Sequence, residues 1–495
     1  MNISEKFIFP AKEVSSIDSL AINDENLSGF ILMKRAAEFS FDSTLKKYPN
    51  TKSFLVFCGI GNNAGDGYLF ANHVIKKGLS ASVVYLASPK NLKGDALKAF
   101  VELKKQGAKV IPWTKDYDFD ADIIVDAIFG IGLNRIVEGD YLECIKAINE
   151  SKKTVIALDI PSGLCANTGQ QKEVAIKAEI TFTFVGKKIG MYLESGPDCC
   201  GQVCFSNLSI QEKNFQTAKP SVEIVNDALR NKILRKRSKT SHKGNYGHVL
   251  IVGGNKGMGG AARIAAEAAI RSGAGLVSVI TRPENVNLIT RLRPEIMCHA
   301  ADHKLRNLKE LIEKVDVIAI GPGLGIDDWA HQLYAEIMTS EQPLIMDADA
   351  LNILSLDPIQ RGNWILTPHP GEAAKLISKS TTQIQSDRLM SLEEIINQYQ
   401  ATVILKGNNT LVGNMNRIPY MINAGNPGMA SAGMGDLLTG LTAGLMAQYS
   451  NHDYCQIAAL AAFIHAKAGD QAALNGQRGL IATDLLCELR ALLNP

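Results

Sequence analysis

The stretch SFLVFCGIGNNAGDG, residues 53–67, begins as an apolar run and passes through glycines into a group of polar residues. A short apolar run bounded by glycine is typical of a buried strand. Gly59, Gly61 and Ala64 give the G-x-G-x-x-A spacing of dinucleotide-binding turns, which by itself is a weak signal. A hydride-transferring Rossmann domain would also need an acidic residue after the next strand, and ASVVYLAS, residues 81–88, has none. The stretch therefore predicts a strand, a turn and a helix, and it disfavours a nicotinamide-dependent dehydrogenase.

Similar apolar runs recur through the first half of the chain. They alternate with amphipathic segments such as GDALKAFVELKKQG, residues 94–107, whose apolar residues share one helical face. This alternation predicts an α/β domain with a parallel sheet covered by helices on both faces. The runs are SFLVFCG (53–59), ASVVYLA (81–87), DIIVDAIFG (122–130), TVIALDIPSG (154–163) and ITFTFVG (180–186).

The second half repeats the alternation of strands and helices. Between the halves, from about residue 211 to 245, the pattern gives way to polar and basic residues around Pro220. A chain of 495 residues is also longer than a domain with a single hydrophobic core usually is. We therefore predict two α/β domains, residues 1–215 and 225–495. The runs of the second half are HVLIVGG (248–254), LVSVITR (276–282), VDVIAIGPGLG (315–325), PLIMDADALN (343–352), WILTPHPGE (364–372) and TVILKGN (402–408).

The composition excludes several classes of partner. Lys and Arg number 52 against 50 Asp and Glu, and this balance argues against a nucleic-acid groove or a membrane-surface patch. The N-terminus MNISEKFIFP lacks the pattern of a signal peptide, and no segment offers about 18 uninterrupted apolar residues. The nine cysteines are scattered without zinc spacing, which favours free thiols. We expect a cytoplasmic protein without membrane or nucleic-acid partners.

Polar residues follow three strands of the first half. Asn62, Asn63 and Asp66 come after the first strand, Asp126 ends the third, and Asp159 and Ser162 follow the fourth. Each residue alone is more often a turn or cap residue. In open α/β sheets, however, ligands bind beyond the carboxyl ends of the strands. The convergence of amides, carboxylates and a hydroxyl at one edge therefore predicts a functional site.

The motifs NNAGDG, VDAIFGIG and LDIPSG resemble the N-terminal epimerase domain of the NAD(P)H-hydrate repair enzymes over roughly the first 210 residues. The resemblance implies a Rossmann-like α/β/α sandwich that interconverts the epimers of hydrated NADH and NADPH (NADHX and NADPHX). It implies K⁺ held by Asn63, Asp126 and Ser162, with Asp159 as the acid/base beside the hydrated ring. The implied substrate contacts are Asn62, Asn63, Ala64, Gly65, Asp66, Gly130, Ile131, Gly132, Leu133, Asn134, Arg135, Ile136, Tyr141 and Asp159.

Two positions depart from the family pattern. Family members commonly have glycine in place of Ala64 and a small hydroxyl residue in place of Ile131. The methyl group of Ala64 is tolerated at a negative φ, whereas Ile131 loses a side-chain hydrogen bond.

The stretch NAGNPGMASAGMGDLLTG, residues 423–440, is dense in glycine and leads into an apolar helical run. The chain has no G-x-x-x-x-G-K-[ST] motif, so a P-loop nucleoside triphosphatase is disfavoured. Glycines before a helix can leave successive N–H groups free to bind phosphoryl oxygens. Asp436 would then accept the proton of an attacking hydroxyl. Asp436 alone could merely cap the helix, but capping needs no glycine run upstream.

This stretch resembles the anion hole of ribokinase-like sugar and vitamin kinases, and the second half is similar to the ADP-dependent NAD(P)H-hydrate dehydratase domain of the same repair family. The supporting segments are GNKGMGGAARIAAEAAIRSGAG (254–275), GPGLG (321–325), MDADALN (346–352), TPHPGE (367–372) and KGNNT (406–410). The resemblance implies ADP and Mg²⁺ as cosubstrate and cofactor, with Asp436 as catalytic base. The implied contacts are Ala261, Gly323, His369 and Asp436 for the hydrate and Lys406, Gly407, Asn408, Asn409, Thr410, Gly433, Met434 and Gly435 for the nucleotide. His369, between two prolines, could instead be only a rigid turn residue.

Three functions stay open at this point. The first is bifunctional repair of NADHX and NADPHX by epimerisation and ADP-dependent dehydration, in a homo-oligomer. The second is a ribokinase-like vitamin or sugar kinase with a regulatory N-terminal domain. The third is a dinucleotide sensor without catalysis, which the complete motifs around Asp159 and Asp436 disfavour.

Overall fold

The computed structural model describes residues 2–24, 27–301 and 308–494. The chain divides into two compact units, Met1–Glu223 (unit 1) and Ile224–Pro495 (unit 2). Both are built from mostly parallel strands and covering helices, which confirms the predicted two-domain α/β architecture.

A parallel sheet forms the centre of unit 1. The strands up to residue 224 are β1 (Phe7–Ile8), β2 (Ser53–Cys58), β3 (Ser80–Tyr85), β4 (Lys109–Pro112), β5 (Ile123–Ala127), β6 (Thr154–Leu158), β7 (Ile180–Phe184), β8 (Gln202–Ser206) and β9 (Val222–Ile224). The sheet order is β4-β3-β2-β5-β6-β7-β8, with every neighbouring pair parallel. All five apolar runs predicted as strands are strands of this sheet.

Both faces of the unit 1 sheet are covered, as β2 illustrates. Phe54, Val56 and Cys58 enter one hydrophobic cluster, whereas Leu55 and Phe57 enter another. Successive side chains of a strand point to opposite faces, so a run without alternation must be buried on both sides. The helices of unit 1 are α1 (Ile3–Lys6), α2 (Ala11–Asp24), α3 (Gly29–Lys47), α4 (Asn62–Lys76), α5 (Gly94–Lys105), α6 (Asp140–Glu150) and α7 (Gly196–Cys200).

The sheet of unit 2 is parallel except at one side. Its strands are β10 (His248–Val252), β11 (Leu276–Thr281), β12 (Met297–Ala300), β13 (Val317–Ile320), β14 (Leu344–Met346), β15 (Trp364–Leu366), β16 (Thr402–Leu405), β17 (Thr410–Gly413) and β18 (Tyr420–Ile422). They lie in the order β18-β17-β16-β15-β14-β13-β10-β11-β12. The pairs β16–β17 and β17–β18 are antiparallel, which the sequence did not predict. The connection KGNN, residues 406–409, is too short for a parallel crossover.

Close helix packing in unit 2 explains one glycine of the stretch 423–440. A Cβ on Gly440 would lie 1.9 Å from the carbonyl oxygen of Ala265, so only glycine permits this approach between two helices. That glycine therefore serves packing rather than phosphate binding. The helices of unit 2 are α8 (Asp227–Ile233), α9 (Gly259–Arg271), α10 (Val286–Thr290), α11 (Leu308–Ile312), α12 (Asp328–Met338), α13 (Ala348–Leu356), α14 (Pro370–Leu376), α15 (Thr381–Ser386), α16 (Arg388–Tyr399), α17 (Met434–Gln448), α18 (Tyr454–Ala472) and α19 (Ala482–Leu492).

Within the described residues, no helix combines the length and the apolar character needed to cross a membrane.

Candidate active sites at the strand ends

The ends of three adjacent strands in unit 1 carry the polar residues that the sequence singled out. Asn63 lies in the first turn of α4 directly after β2, Asp126 lies near the end of β5, and Ser162 follows β6. Because β2, β5 and β6 are neighbours in the sheet, their carboxyl ends meet at one edge.

Asn63, Asp126 and Ser162 are joined through the backbone of Phe129. The buried Asp126 carboxylate accepts hydrogen bonds from Ser162 N at 2.7 Å and Ser162 Oγ at 2.6 Å. Phe129 N donates to Ser162 Oγ at 2.8 Å, and Asn63 Nδ2 donates to Phe129 O at 2.8 Å. Asn63 Oδ1 is buried without a hydrogen-bond partner among the described residues. Burial raises the pKa of Asp126 to about 6. Clustered buried oxygen atoms, one of them unpartnered, suit a hard cation.

Asp159 lies in a cavity of about 790 Å³ beside this cluster. Its backbone is left-handed, with φ +66°, a conformation that a non-glycine residue adopts only when the surroundings hold it. Its carboxylate accepts hydrogen bonds from Ile131 N at 3.3 Å and from Lys188 Nζ at 2.5 Å. Lys188 is fully buried and also donates to Thr183 Oγ1 at 2.8 Å and Phe184 O at 3.0 Å. A buried ammonium thus fixes the position of the Asp159 carboxylate.

Most of the predicted substrate-contact residues of unit 1 line this cavity. Asn62, Asn63, Asp66, Asp159 and the loop 130–135 line it. Four predicted contacts lie outside its lining: Ala64 and Gly65 are buried in α4, Ile136 is exposed, and the Tyr141 ring lies against the Phe129 ring at 4.8 Å between centroids.

Sequence reasoning missed three charged residues of this cavity region: Lys188, Asp18 and Asp95, the last of which lies in the first turn of α5. Lys188 belongs to GKKIG, which follows β7, and the preference of ligands for strand ends could have identified it. Asp18 lines the cavity from α2, near the N-terminus. The strand before this helix, β1, has only two residues, so no apolar run in the sequence pointed to Asp18.

In unit 2, α17 begins where the glycine-rich stretch ends. Gly433 precedes the helix with φ +89°, a left-handed conformation that favours glycine. Among the described residues, the N–H groups of Met434, Gly435 and Asp436 have no hydrogen-bond acceptor, and Leu437 N is the first amide to be paired, with Gly433 O at 3.0 Å. Residues 433–436 all line a cavity of about 750 Å³. Free amides at a helix N-terminus form an anion-binding site.

Charged residues surround this helix start. Lys406 Nζ lies 2.7 Å from Asp347 Oδ1 and 3.7 Å from Glu372 Oε2. A Cβ on Gly435 would lie 3.3 Å from Lys406 Nζ, so the ammonium group lies close to the free amides at the start of α17. Burial, followed by the charge of Asp347, raises the pKa of Asp436 to about 6, while Lys406 opposes the shift. Asp436 is thus a carboxyl group with a raised pKa, beside unpaired amides that can bind an anion.

The predicted nucleotide loop lies along the same cavity. Lys406, Gly407, Asn408 and Thr410 line it, whereas Asn409 is buried outside the lining. The buried Arg388 donates to Leu405 O at 3.1 Å and to Asn408 O, and it thereby fixes the path of the loop.

His369 combines the two roles that the sequence left open. It is the N-cap of α14, where its Nδ1 accepts a hydrogen bond from Gly371 N at 3.0 Å. Its side chain is 57% exposed and also lines the cavity. A capping residue can therefore still present its ring to a ligand.

Ala261, in the first turn of α9, lies close to Gly323, which follows β13. Gly323 has φ +58°, and a Cβ at this position would lie 3.1 Å from Ala261 Cβ. Neither residue is in the lining of the Asp436 cavity. Asp349 interacts with both regions. It accepts a hydrogen bond from Gly325 N at 2.8 Å, close to Gly323, and its charge contributes to the raised pKa of Asp436.

His465 is a cavity residue that sequence reasoning missed. It lies on α18, and its Nε2 is buried without a hydrogen-bond partner among the described residues. Burial lowers its pKa to about 4, so the ring is neutral at pH 7. Its surrounding sequence, AALAAFIHAKAG (458–469), resembles an ordinary core helix and gives no signal.

The fold and these two sites define a class: a two-domain α/β enzyme in which a Rossmann-like unit and a kinase-like unit each carry a site at the carboxyl ends of their strands. A family model described as YjeF-related protein N-terminus matches residues 29–190, and a model described as NAD(P)H-hydrate dehydratase matches residues 249–491.

The chain is 40% identical to the bifunctional NAD(P)H-hydrate repair enzyme Nnr of Coxiella burnetii over 99% of both chains. It is 38% identical to the enzyme of the same name from Vibrio cholerae, over 96% of this chain and 95% of the other. A solved structure from Streptococcus mutans, called a hypothetical protein, has 33% identity and a TM-score of 0.51, covering 55% of this chain and all of the other. The chain belongs to the family of bifunctional NAD(P)H-hydrate repair enzymes.

Proposed function

We propose that this protein repairs hydrated nicotinamide dinucleotides in two steps. Residues 1–215 interconvert the R and S epimers of NADHX and NADPHX, and residues 225–495 convert the S epimer back to NADH or NADPH with ADP. The main support for the dehydration step is the set of unpaired amides at the start of α17, beside Lys406 and Asp436.

The dehydration needs a better leaving group than hydroxide. Asp436 accepts the proton of the substrate hydroxyl as that oxygen attacks the terminal phosphorus of ADP, so the P–O bond to AMP breaks. The free amides of residues 434–436 and the Lys406 ammonium stabilise the charge on the transferring phosphoryl group. The C–O bond of the phosphorylated intermediate then breaks and releases inorganic phosphate, and the adjacent ring carbon loses a proton to give the reduced nicotinamide ring. The products are AMP, phosphate and NADH or NADPH.

The assay for the proposed function starts from a mixture of both NADHX epimers and the full-length protein. Addition of ADP should restore the near-ultraviolet absorbance of the reduced nicotinamide for the whole mixture. Recovery of only the S fraction would overturn the epimerase assignment. No recovery with either ADP or ATP would overturn the dehydratase assignment. A phosphorylated product that accumulates would favour the kinase alternative, which family membership does not favour.

The pH dependence of dehydration should follow Asp436. A general base must be ionised, and its pKa of about 6 lies above the usual value of 3.8. We therefore expect kcat/KM for dehydration to be constant above about pH 7 and to fall about tenfold per pH unit below pH 6. Initial rates between pH 5 and 8, with the pure S epimer, measure this. A profile that stays flat down to pH 5 would contradict the assigned role.

Asn63, Asp126 and Ser162 fit the K⁺ ion that we propose for unit 1. Their oxygen atoms suit a hard cation, and the unpartnered Asn63 Oδ1 is available as a ligand. When bound, K⁺ would supply positive charge that offsets the buried Asp126 carboxylate and would fix the backbone at Phe129, beside the cavity.

Removal of one of these ligands should weaken the response to potassium. For wild type we expect faster epimerisation in K⁺ than in Li⁺, and for Asn63→Leu we expect K⁺ affinity to fall on the order of 10–100-fold or more. The measurement is the epimerisation rate against K⁺ concentration at constant ionic strength. Asn72→Leu, a second buried amide of α4, is the control and should keep the K⁺ response. An unchanged K⁺ response in Asn63→Leu would contradict the site.

For unit 2 we propose Mg²⁺ as the ion that accompanies the phosphates of ADP and partly neutralises them. The described residues contain no cluster of three His, Cys, Asp or Glu side chains that could hold a metal ion by themselves. The nucleotide itself would therefore provide the main ligands. The cytoplasmic location and the homo-oligomeric state stay predictions.

A further inference from the structure

Helix α2 brings a carboxyl group into the unit 1 cavity that none of the motifs includes. Val14, Ser15, Asp18, Ser19 and Ile22 line the cavity, and their spacing is that of one helical face. Asp18 is half-buried and has neither a hydrogen bond nor an ion pair among the described residues. The helix therefore presents an unpaired carboxyl group to the same space as Asp159.

Lys188, the lysine near this cavity, makes no hydrogen bond to Asp18. The three hydrogen bonds of Lys188 Nζ go to Asp159, Thr183 and Phe184, which uses all the donors of an ammonium group. The charge of Asp159 is compensated, whereas that of Asp18 is not. Burial and the nearby Asp159 accordingly raise the pKa of Asp18 above its usual value, and Lys188 opposes the shift. Two carboxyl groups in one cavity thus have different environments, as an acid and a base require.

Epimerisation at the hydroxylated ring carbon requires an acid and a base. The C–O bond breaks as the hydroxyl group takes up a proton and leaves as water, while the electron pair of the adjacent ring nitrogen stabilises the cation. A water molecule then adds to the opposite face and gives up a proton. One water leaves and one enters, so the step needs no oxidant or reductant. Paired carboxyl groups carry out the equivalent inversion in glycoside hydrolysis.

We propose that Asp18 is the general acid of this epimerisation, donating its proton to the departing hydroxyl group while Asp159 takes a proton from the incoming water. The inference rests on the proposed epimerase function of unit 1. Asp66 also lines the cavity without a partner among the described residues, but it belongs to the NNAGDG motif at the start of α4, which is proposed to hold ribose and diphosphate.

The acid role predicts a specific pH profile. The rate should fall as pH rises through the pKa of the acid and as pH decreases through the pKa of the base, which gives two limbs. Loss of Asp18 should lower the maximum and remove the alkaline limb. The charged groups of the described chain that face Asp18 around this cavity are Asp66, Asp95, Arg135, Asp159 and Lys188.

The test compares Asp18→Asn, Asp18→Glu and Asp24→Asn in the full-length protein. Asp24 is exposed on the same helix, so its substitution makes the same charge change outside the cavity. We expect epimerisation by Asp18→Asn to fall about 10²–10⁴-fold with KM little changed, partial activity in Asp18→Glu, and wild-type rates in Asp24→Asn. Dehydration of the pure S epimer should be the same in all of them, because unit 2 is untouched.

Three outcomes would overturn the proposal. The first is an Asp18→Asn rate within threefold of wild type. The second is a lower rate with both pH limbs retained, which would assign Asp18 a structural role. The third is loss of the alkaline limb in Asp66→Asn instead. If wild type itself does not exceed the uncatalysed epimerisation rate, the epimerase function fails, and this result is distinct from all three.

Discussion

Replacement of Asp436 by asparagine should lower kcat/KM for dehydration by about 10²–10⁴-fold while ADP still binds. The loss corresponds to roughly 3–5 kcal/mol of transition-state stabilisation. Asparagine keeps the shape of the side chain but cannot accept a proton, whereas the free amides of residues 434–436 and Lys406 remain in place. Recovery of absorbance with the S epimer measures the rate, and calorimetric titration with ADP measures binding.

Folding should not suffer from this substitution. Burial raises the pKa of Asp436, so at pH 7 the folded state carries an ionised carboxylate in an unfavourable place, and a neutral amide relieves that cost. Asp328→Asn is the matched control, because Asp328 is an exposed acid in the first turn of another helix of unit 2. An Asp436→Asn rate within threefold of the control would exclude Asp436 as the base.

Asp159→Asn should abolish epimerisation without affecting dehydration. Asn is tolerated in the left-handed conformation that Asp159 adopts, so the backbone can keep its path. We expect an epimerisation rate about 10²–10⁴-fold lower. With a mixture of epimers and ADP, absorbance should return quickly for the S fraction and then only at the rate of uncatalysed epimerisation.

Asp159→Asn also leaves the buried Lys188 ammonium without its counter-ion, which costs stability. The double variant Asp159→Asn with Lys188→Gln removes both charges and separates the two effects. Thermal unfolding should show the double variant to be more stable than Asp159→Asn, while its epimerisation stays lost. Recovered epimerisation in the double variant would show that Asp159 has no role in proton transfer.

The location of the candidate site residues could be predicted from the sequence where those residues directly follow strands. The run Ser53–Cys58 is apolar throughout, and only a strand buried on both faces accommodates such a run. Because the carboxyl ends of parallel strands meet at one edge, the sequence alone could bring Asn63, Asp126 and Ser162 together. The hydrogen bonds that join these three residues through Phe129 agree with that interpretation.

Residues on elements outside this pattern were not predictable. Lys188 pairs with Asp159 across 29 positions of the chain. Asp18 comes from a helix whose place relative to the sheet no local pattern specifies, and His465 lies in a helix composed like an ordinary core. Strands β17 and β18, which pair antiparallel, were not among the predicted runs because they have only four and three residues.

By itself, the sequence determined the α/β class, the order of the strands predicted along the chain, and the turn residues at their ends. Those features depend on local rules: burial of apolar runs, the conformational freedom of glycine and the unpaired amides at a helix start. Only the tertiary structure decided which charges compensate one another and which remain unpaired. Charge environment depends on distances between side chains far apart in sequence, which packing alone brings together.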